Sequence, residues 1–481
     1  MRRIHVAGAL AVAALVGLRL SVTRAADPVG IVVITLDTTR ADRLSLYGFM
    51  NVSLPHLERL AREGVVFDQA TSVAPLTLPA HTSLFTGLLP PNHGVRDNAD
   101  PPLAETHTTL AETLHARGFR TGAFVGSVVL DPDRGLRQGF EEYRGVDGDP
   151  ARTSHRVQRR ADRVVSDAIQ WLDTIAGSRF LLWAHLYDPH RPYDPPEPFA
   201  STYAHNPYVG EIAFADAQIG RLLEALKRRA LLDRTIVVVA GDHGESLGER
   251  GERDHGVFVY ENVLRVPLMI RAPSLAPFRI GEVVRLIDVM PTVLNLVDVP
   301  VPPVDGISLV NLMRGQRSGL NLEAYSESLY PERFGCSPLH AVRDGRFKLI
   351  DAPRPELYDL QRDPFEERNI YDERRAMGEA MTARARAMAK VGGSVQERER
   401  RTLVTTELQA SMAALGYVGS TATRPRAHHV TSPRLCREDL PLRPPARGRP
   451  SSCHPEASST DPTQCRESAS PRHPASRCTK P

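Results

Sequence analysis

The chain has 481 residues, enough for one large domain or two to three average ones, so a sizeable buried core is within reach. Its formal charge of +3, from 60 basic and 57 acidic residues, gives no global attraction to nucleic acid or to an anionic membrane surface. The five cysteines stand at 336, 436, 453, 465 and 478, which excludes disulfides as the framework for the bulk of the chain.

Arg2 and Arg3 precede the apolar run "VAGALAVAALVGL", and small residues follow at "TRAAD". This order reads as an export signal over residues 1–26, cleaved near Ala25 or Ala26, and the run is too short for a comfortable membrane span. The expectation is a periplasmic or secreted protein, with an uncleaved anchor as the alternative and no stable membrane span.

From Gly30 to about Leu296, short β-branched runs alternate with helical stretches. The runs "GIVVITLD", "RFLLWAHLYD" and "RTIVVVAGD" suit strands buried on both faces of a parallel sheet. Helices are predicted for "PHLERLAREG", "TTLAETLHARG", "RVQRRADRVVSDAIQWLDTI" and "GEIAFADAQIGRLLEALKRR". Gly64 and Gly118 stand where a helix end favours positive φ. The pattern predicts an α/β fold with a mostly parallel sheet flanked by helices. This catalytic-type domain is placed over residues 27–319, and a small α+β subdomain over 320–371 contains a hairpin at Asp344-Gly345. A helical extension is placed over 372–420. The stretch 421–481 holds eleven prolines, and eleven basic against five acidic residues. It reads as disordered, or as an out-of-frame translation product.

All three apolar strands lead into a carboxylate: Asp37, Asp188 and Asp242. Ligands of open parallel sheets bind beyond the carboxyl ends of the strands, so three acids there suggest a cation site. Taken singly, each acid also fits a turn or a helix cap. In "GDHGESLGERGERDHG", His243 follows Asp242 directly and His255 lies further on. Carboxylate plus imidazole suits one divalent cation of the Mn, Zn or Fe kind better than Ca. In "APLTLPAHTSLFTG", Thr77 stands at a helix entrance. It fits a helix N-cap, or a nucleophile activated by a cation held by Asp37, Asp242 and His243.

These segments together resemble the sulfatase branch of the alkaline phosphatase superfamily, from Ile31 to about Asn369. The carrying motifs are "LDTTRADRLSLYG", "SLPHLERLAREGVVFDQA", "TLPAHTSLFTGLLPPNHGVRDN", "LYDPHRPYDPP", "VVVAGDHGESLGERGERDHGVFVYENVLRVPLMI" and "ELYDLQRDPFEERNI". The resemblance implies Asp37, Thr77, Asp242 and His243 as metal ligands, with Thr77 also the nucleophile. It puts His81 in the place of an arginine that orients the nucleophile. It also puts His190 and His255 on the transferred anion or leaving oxygen, with Asn98 and Arg96 as substrate-binding candidates. A second metal on Asp188, His190 and His255 is left open, although the Asp188/His190 spacing is tighter than in two-metal relatives.

Three further positions depart from the family pattern. Thr77 stands where typical sulfatases have a Cys or Ser converted to formylglycine, so that route is closed and a covalent threonyl ester is expected. Thr38 replaces a second Asp and His243 replaces an Asn, both moving away from a calcium site. The expected activity is hydrolysis of a small-molecule or glycan sulfate or phosphate (mono- or di-) ester, with no nucleic-acid partner. The alternatives are an envelope phosphoalcohol transferase and a catalytically inactive binder of anionic glycans.

Overall fold

The computed structural model describes residues 29–146, 158–316 and 320–390. Eight strands form the main sheet: β1 (Gly30–Leu36), β2 (Val65–Thr71), β3 (Arg120–Val125), β4 (Glu142–Arg144), β5 (Phe180–Leu186), β6 (Thr235–Gly241), β7 (Arg265–Arg271) and β8 (Phe278–Arg285). Their spatial order is β4-β3-β5-β1-β6-β7-β2-β8. All pairs are parallel except those that β7 makes with β6 and β2, so the sheet is mostly parallel. Pro267 cannot donate to a ladder, and it sits in β7 opposite the irregularity where the β2 register shifts between Phe67 and Ala70.

The helices used below are α1 (Pro55–Glu63), α2 (Thr77–Thr86), α3 (Leu110–His115), α4 (Ala161–Thr174), α5 (Pro207–Arg228), α6 (Val289–Leu296) and α7 (Arg375–Lys390). Side chains alternate along a strand, so β1, β5 and β6 feed two separate cores. Ile31, Val33, Leu181, Trp183, Ile236 and Val238 pack with residues of α2, α3 and α6 on one face. Val32, Ile34, Leu182, Ala184, Val237 and Val239 pack with residues of α1, α4 and α5 on the other. The near-continuous apolar runs follow from this three-layer arrangement, since neither face of the sheet is solvated.

A second, antiparallel sheet comprises β9 (Ala324–Ser328), β10 (Leu339–Arg343), β11 (Phe347–Asp351) and β12 (Glu356–Asp359), with the expected hairpin between β10 and β11. Its first strand touches the segment ahead of α2. Glu327 N donates to Val73 O at 2.9 Å, and Ser326 Oγ donates to Ser72 O at 2.6 Å. This sheet therefore braces the approach to Thr77.

Gly118 has φ +79 at the end of α3, as expected, but Gly64 after α1 is extended, with φ −135. Gly64 is needed for space rather than for a left-handed turn, because a Cβ there would meet Ile270 O at 2.9 Å. The long helix predicted from Arg156 starts at Ala161. Of the helical extension placed over 372–420, α7 covers Arg375–Lys390, and the rest, with the 421–481 segment and the 1–26 signal, lies outside the described residues.

Candidate active site and metal centre

Period two decides which strand-end residues face α2. Thr35 and Asp37 share the face of Ile31 and Val33, His185 shares that of Trp183, and Asp242 shares that of Ile236 and Val238. The ladder continues past the strand ends, with Asp37 N donating to Leu186 O and Asp242 N to Leu36 O. Two carboxylates are thereby fixed side by side at the carboxyl edge of β1 and β6.

Thr77 does not cap its helix. It is the first residue of α2, Leu76 occupies the N-cap position, and no side-chain bond is made from that position. The Thr77 hydroxyl lies 3.2 Å from His243 Nε2. The orphan N–H of Leu78 is satisfied from elsewhere, by Asn98 Oδ1 at 2.8 Å. That bond fixes the orientation of the Asn98 amide and leaves its buried Nδ2 without a hydrogen-bond partner.

His243 Nδ1 faces the Gly244 carbonyl at 2.9 Å. A carbonyl only accepts, so Nδ1 carries the hydrogen and Nε2 presents a lone pair. That lone pair lies 3.7 Å from Asp37 Oδ1 and 3.5 Å from Asp242 Oδ2. Both oxygens of Asp37 and Oδ2 of Asp242 are buried and make no hydrogen bond. Asp242 Oδ1 is held by the backbone N–H groups of His243 (2.7 Å) and Thr38 (3.2 Å). Thr38 supplies that N–H from a left-handed φ of 48, unusual for a β-branched residue and a sign of local strain at the site.

A buried cluster of acceptors facing one another is costly unless a positive charge lies between them. Burial drives the Asp37 carboxyl up, and burial together with the Asp37 charge drives Asp242 up. Burial and then His255 drive His243 down. A divalent cation would allow both acids to ionise and would use the His243 lone pair, so Asp37, Asp242 and His243 could hold a metal ion. The residues therefore fit the expected cation.

Among the described residues, two groups bring three donors within 4.8 Å: Asp37, Asp242 and His243, and His81, His185 and Asp242. Tautomers separate them. In the second group, His185 Nδ1 accepts from Gly126 N at 3.3 Å, so its Nε2 carries hydrogen toward Asp37 Oδ2, 3.4 Å away. His81 uses both ring nitrogens, toward Thr77 O at 2.8 Å and Thr35 Oγ1 at 2.9 Å. Neither ring is free to ligate, and the first group is the better cation site. His185 was not expected from the sequence. A polar residue in the buried run "RFLLWAHLYD", in phase with Trp183, was the signal for it.

His255 and His190 adjoin the cluster. His255 Nδ1 faces Pro75 O at 3.0 Å, His190 Nδ1 faces Arg191 O at 2.6 Å and Tyr187 Oη at 2.8 Å, and the two Nε2 atoms are 3.2 Å apart. The His255 ring also packs on His243, with centroids 4.3 Å apart.

Two candidates are employed elsewhere. Asp188 accepts from Ala161 N at 2.7 Å, so it serves the start of α4, and burial pushes it up to about 7. No three-donor group among the described residues includes it. The Arg96 guanidinium is spread over both oxygens of Glu327 on β9, at 2.6 and 2.5 Å, and acts as a strut.

Residues 30–299 match the family described as Sulfatase, and residues 248–390 match that described as N-sulphoglucosamine sulphohydrolase, C-terminal. The chain is 26% identical over 393 residues to an ulvan-active sulfatase of Formosa agariphila, covering 71% of this chain and 76% of that protein. A choline-sulfatase of Rhizobium meliloti is 26% identical over 407 residues, covering 66% and 77%. The fold is shared with a phosphonate monoester hydrolase of Agrobacterium radiobacter, with a TM-score of 0.65, 22% identity, and coverage of 75% of this chain and 95% of that one. A family match running through more than half of the chain, on the fold its motifs imply, shows that this protein belongs to the sulfatase family of ester hydrolases.

Proposed function

We propose that the protein is an exported, metal-dependent hydrolase that cleaves a sulfate, phosphate or phosphonate ester through a covalent intermediate on Thr77. One observation carries this reading: the Thr77 hydroxyl is turned from its own helix end toward His243, beside two buried carboxylates that have oxygens without hydrogen bonds. Asp37, Asp242, His243 and Thr77 would hold the cation. When bound, it supplies the positive charge that lowers the pKa of the Thr77 hydroxyl and offsets charge on the transferred group.

The chain's own groups account for the rest. Thr77 Oγ attacks the sulfur or phosphorus centre as the ester bond to the departing oxygen breaks, and the helix start stabilises negative charge there. The buried Asn98 N–H, which has no partner of its own, would donate to an oxygen of the transferred group. The proton that Thr77 Oγ gives up is relayed by the His190–His255 pair to the departing oxygen. Water then attacks the same centre, releasing the oxyanion and restoring the hydroxyl. A threonine has no route to an aldehyde, so this second displacement is required. The kinship with sulfatases and the fold shared with a phosphonate monoester hydrolase both support an anionic ester as substrate.

The test is protein loaded with Mn²⁺ or Zn²⁺, assayed on 4-nitrophenyl sulfate, bis-4-nitrophenyl phosphate and 4-nitrophenyl phenylphosphonate, with intact-mass measurement after acid quenching. Turnover of one ester and an adduct mapped to Thr77 are expected. Equal inactivity of wild type and Thr77→Ala across the panel, with metal bound, would overturn the reading.

A further inference from the structure

The His81 ring ends in two bonds whose directions are settled by their partners. On one side lies the carbonyl of Thr77, 2.8 Å from Nδ1, which can only accept. On the other lies Thr35 Oγ1, 2.9 Å from Nε2. That hydroxyl already accepts from Trp183 Nε1, a donor-only group, at 3.0 Å. The Thr35 hydrogen is thus left for His81 Nε2. The result is one directed chain: Trp183 N–H to Thr35, Thr35 O–H to His81 Nε2, and His81 Nδ1–H to the main chain of the nucleophile. All four residues are buried, with Thr35, Thr77, His81 and Trp183 each 0% exposed. The His81 ring is further held against Trp183 and His185, with centroids 5.4 and 4.9 Å apart.

We infer that His81 is a positioning residue, neither base nor metal ligand, and that Thr35 and Trp183 complete a relay that locks the Thr77 backbone against the sheet. The relay ties the first turn of α2 to the interior of β1 and β5. The hydroxyl of Thr77 is thereby set relative to Asp37 and Asp242, which leave the ends of β1 and β6. Asp242 Oδ2 lies 3.6 Å from His81 Nδ1, so the same ring hydrogen also faces the carboxylate. This inference concerns how the nucleophile of the proposed reaction is oriented, and it rests on that reading only for its kinetic arm.

The test has two arms. In the first, protein labelled with ¹⁵N-histidine is examined by ring ¹H–¹⁵N correlation, with the His81 signals assigned by their loss in His81→Asn. An Nδ1–H tautomer is expected, with its Nε2 shift moving in Thr35→Val, which deletes the hydroxyl donor at nearly constant volume. An Nε2–H tautomer, or no response to Thr35→Val, overturns the inference. If His81→Asn does not fold, the loss of the same signals in His81→Gln makes the assignment instead.

In the second arm, the metal-loaded enzyme is assayed on the ester that it turns over. An asparagine amide overlays Nδ1 and a glutamine amide overlays Nε2. His81→Asn therefore keeps the donor to Thr77 O and loses less than about tenfold in kcat. His81→Gln loses about a hundredfold, the cost of a misplaced reacting group, with KM and bound metal little changed. Equal losses in both variants, or loss of metal from both, overturn the inference. A wild type that turns over no ester overturns the proposed function alone, because the tautomer arm stands without catalysis.

Discussion

Removing the Thr77 hydroxyl would remove the proposed nucleophile and one proposed oxygen donor, while Asp37, Asp242 and His243 remain. Thr77→Ala is expected to lower kcat/KM by about a thousandfold or more, and Thr77→Ser, which keeps the oxygen, to cost far less. Steady-state assay with metal content measured in parallel checks both. Gly244 is a second sensitive position, for a reason of space. A Cβ there would lie 2.1 Å from the backbone oxygen of Asn262, which cannot move as a side-chain tip would. The Gly244 carbonyl also fixes the His243 tautomer. Gly244→Ala should therefore cost about 1–3 kcal/mol in stability and displace His243, a proposed metal ligand. Chemical denaturation and metal titration read the two effects. In the local sequence alone, Thr77 fits an N-cap better than a nucleophile. The difference is the direction of one hydroxyl, which depends on a histidine 166 residues away.

At the scale of elements, the small antiparallel sheet is tied to the segment ahead of α2 by Glu327 N and Ser326 Oγ, and to the loop beyond that helix by the Arg96–Glu327 pair. Burial alone would raise the Glu327 carboxyl, but the hydrogen bonds from Arg96 and His340 and the Arg96 charge outweigh it, bringing it down to about 2. A carboxyl lowered from its ordinary 4.5 adds stability that is fully present above that value and is lost as the pH falls toward 2. The thermal midpoint of the wild type is expected to fall more steeply between those limits than that of Glu327→Gln. Arg96→Ala leaves a buried carboxylate without its main partner and should cost about 3–5 kcal/mol, measurable by urea unfolding at neutral pH. The strands and most helices were legible because their apolar periodicity is a local property. The Arg96 strut was not, because its partner lies 231 residues along the chain.

For the molecule as a whole, the acceptor cluster would couple folding to binding of the proposed cation. A cation that binds only the native state stabilises it by RT ln(1 + [L]/Kd), about 2.7 kcal/mol at a hundredfold excess over Kd. Chelation should therefore lower the thermal midpoint as well as abolish turnover, and Mn²⁺ or Zn²⁺ should restore both. In Asp37→Asn/Asp242→Asn the shift on adding metal should vanish, as differential scanning calorimetry would show. No helix among the described residues is long and apolar enough to cross a membrane.

The sequence by itself determined the sheet, the delivery of Asp37 and Asp242 to its carboxyl edge, and the start of a helix at Thr77. Those features follow from hydrophobic period and from strands that end in acids. The tertiary structure alone decided how the neighbouring residues are used. It brought His185 into the cluster, gave Asp188 to the start of α4, committed Arg96 to Glu327, and set each histidine's tautomer by the carbonyl or N–H it meets. Ligation and hydrogen bonding turn on separations of a few tenths of an ångström between segments far apart in the chain. Strand order and helix packing set those separations, and a linear pattern does not contain them.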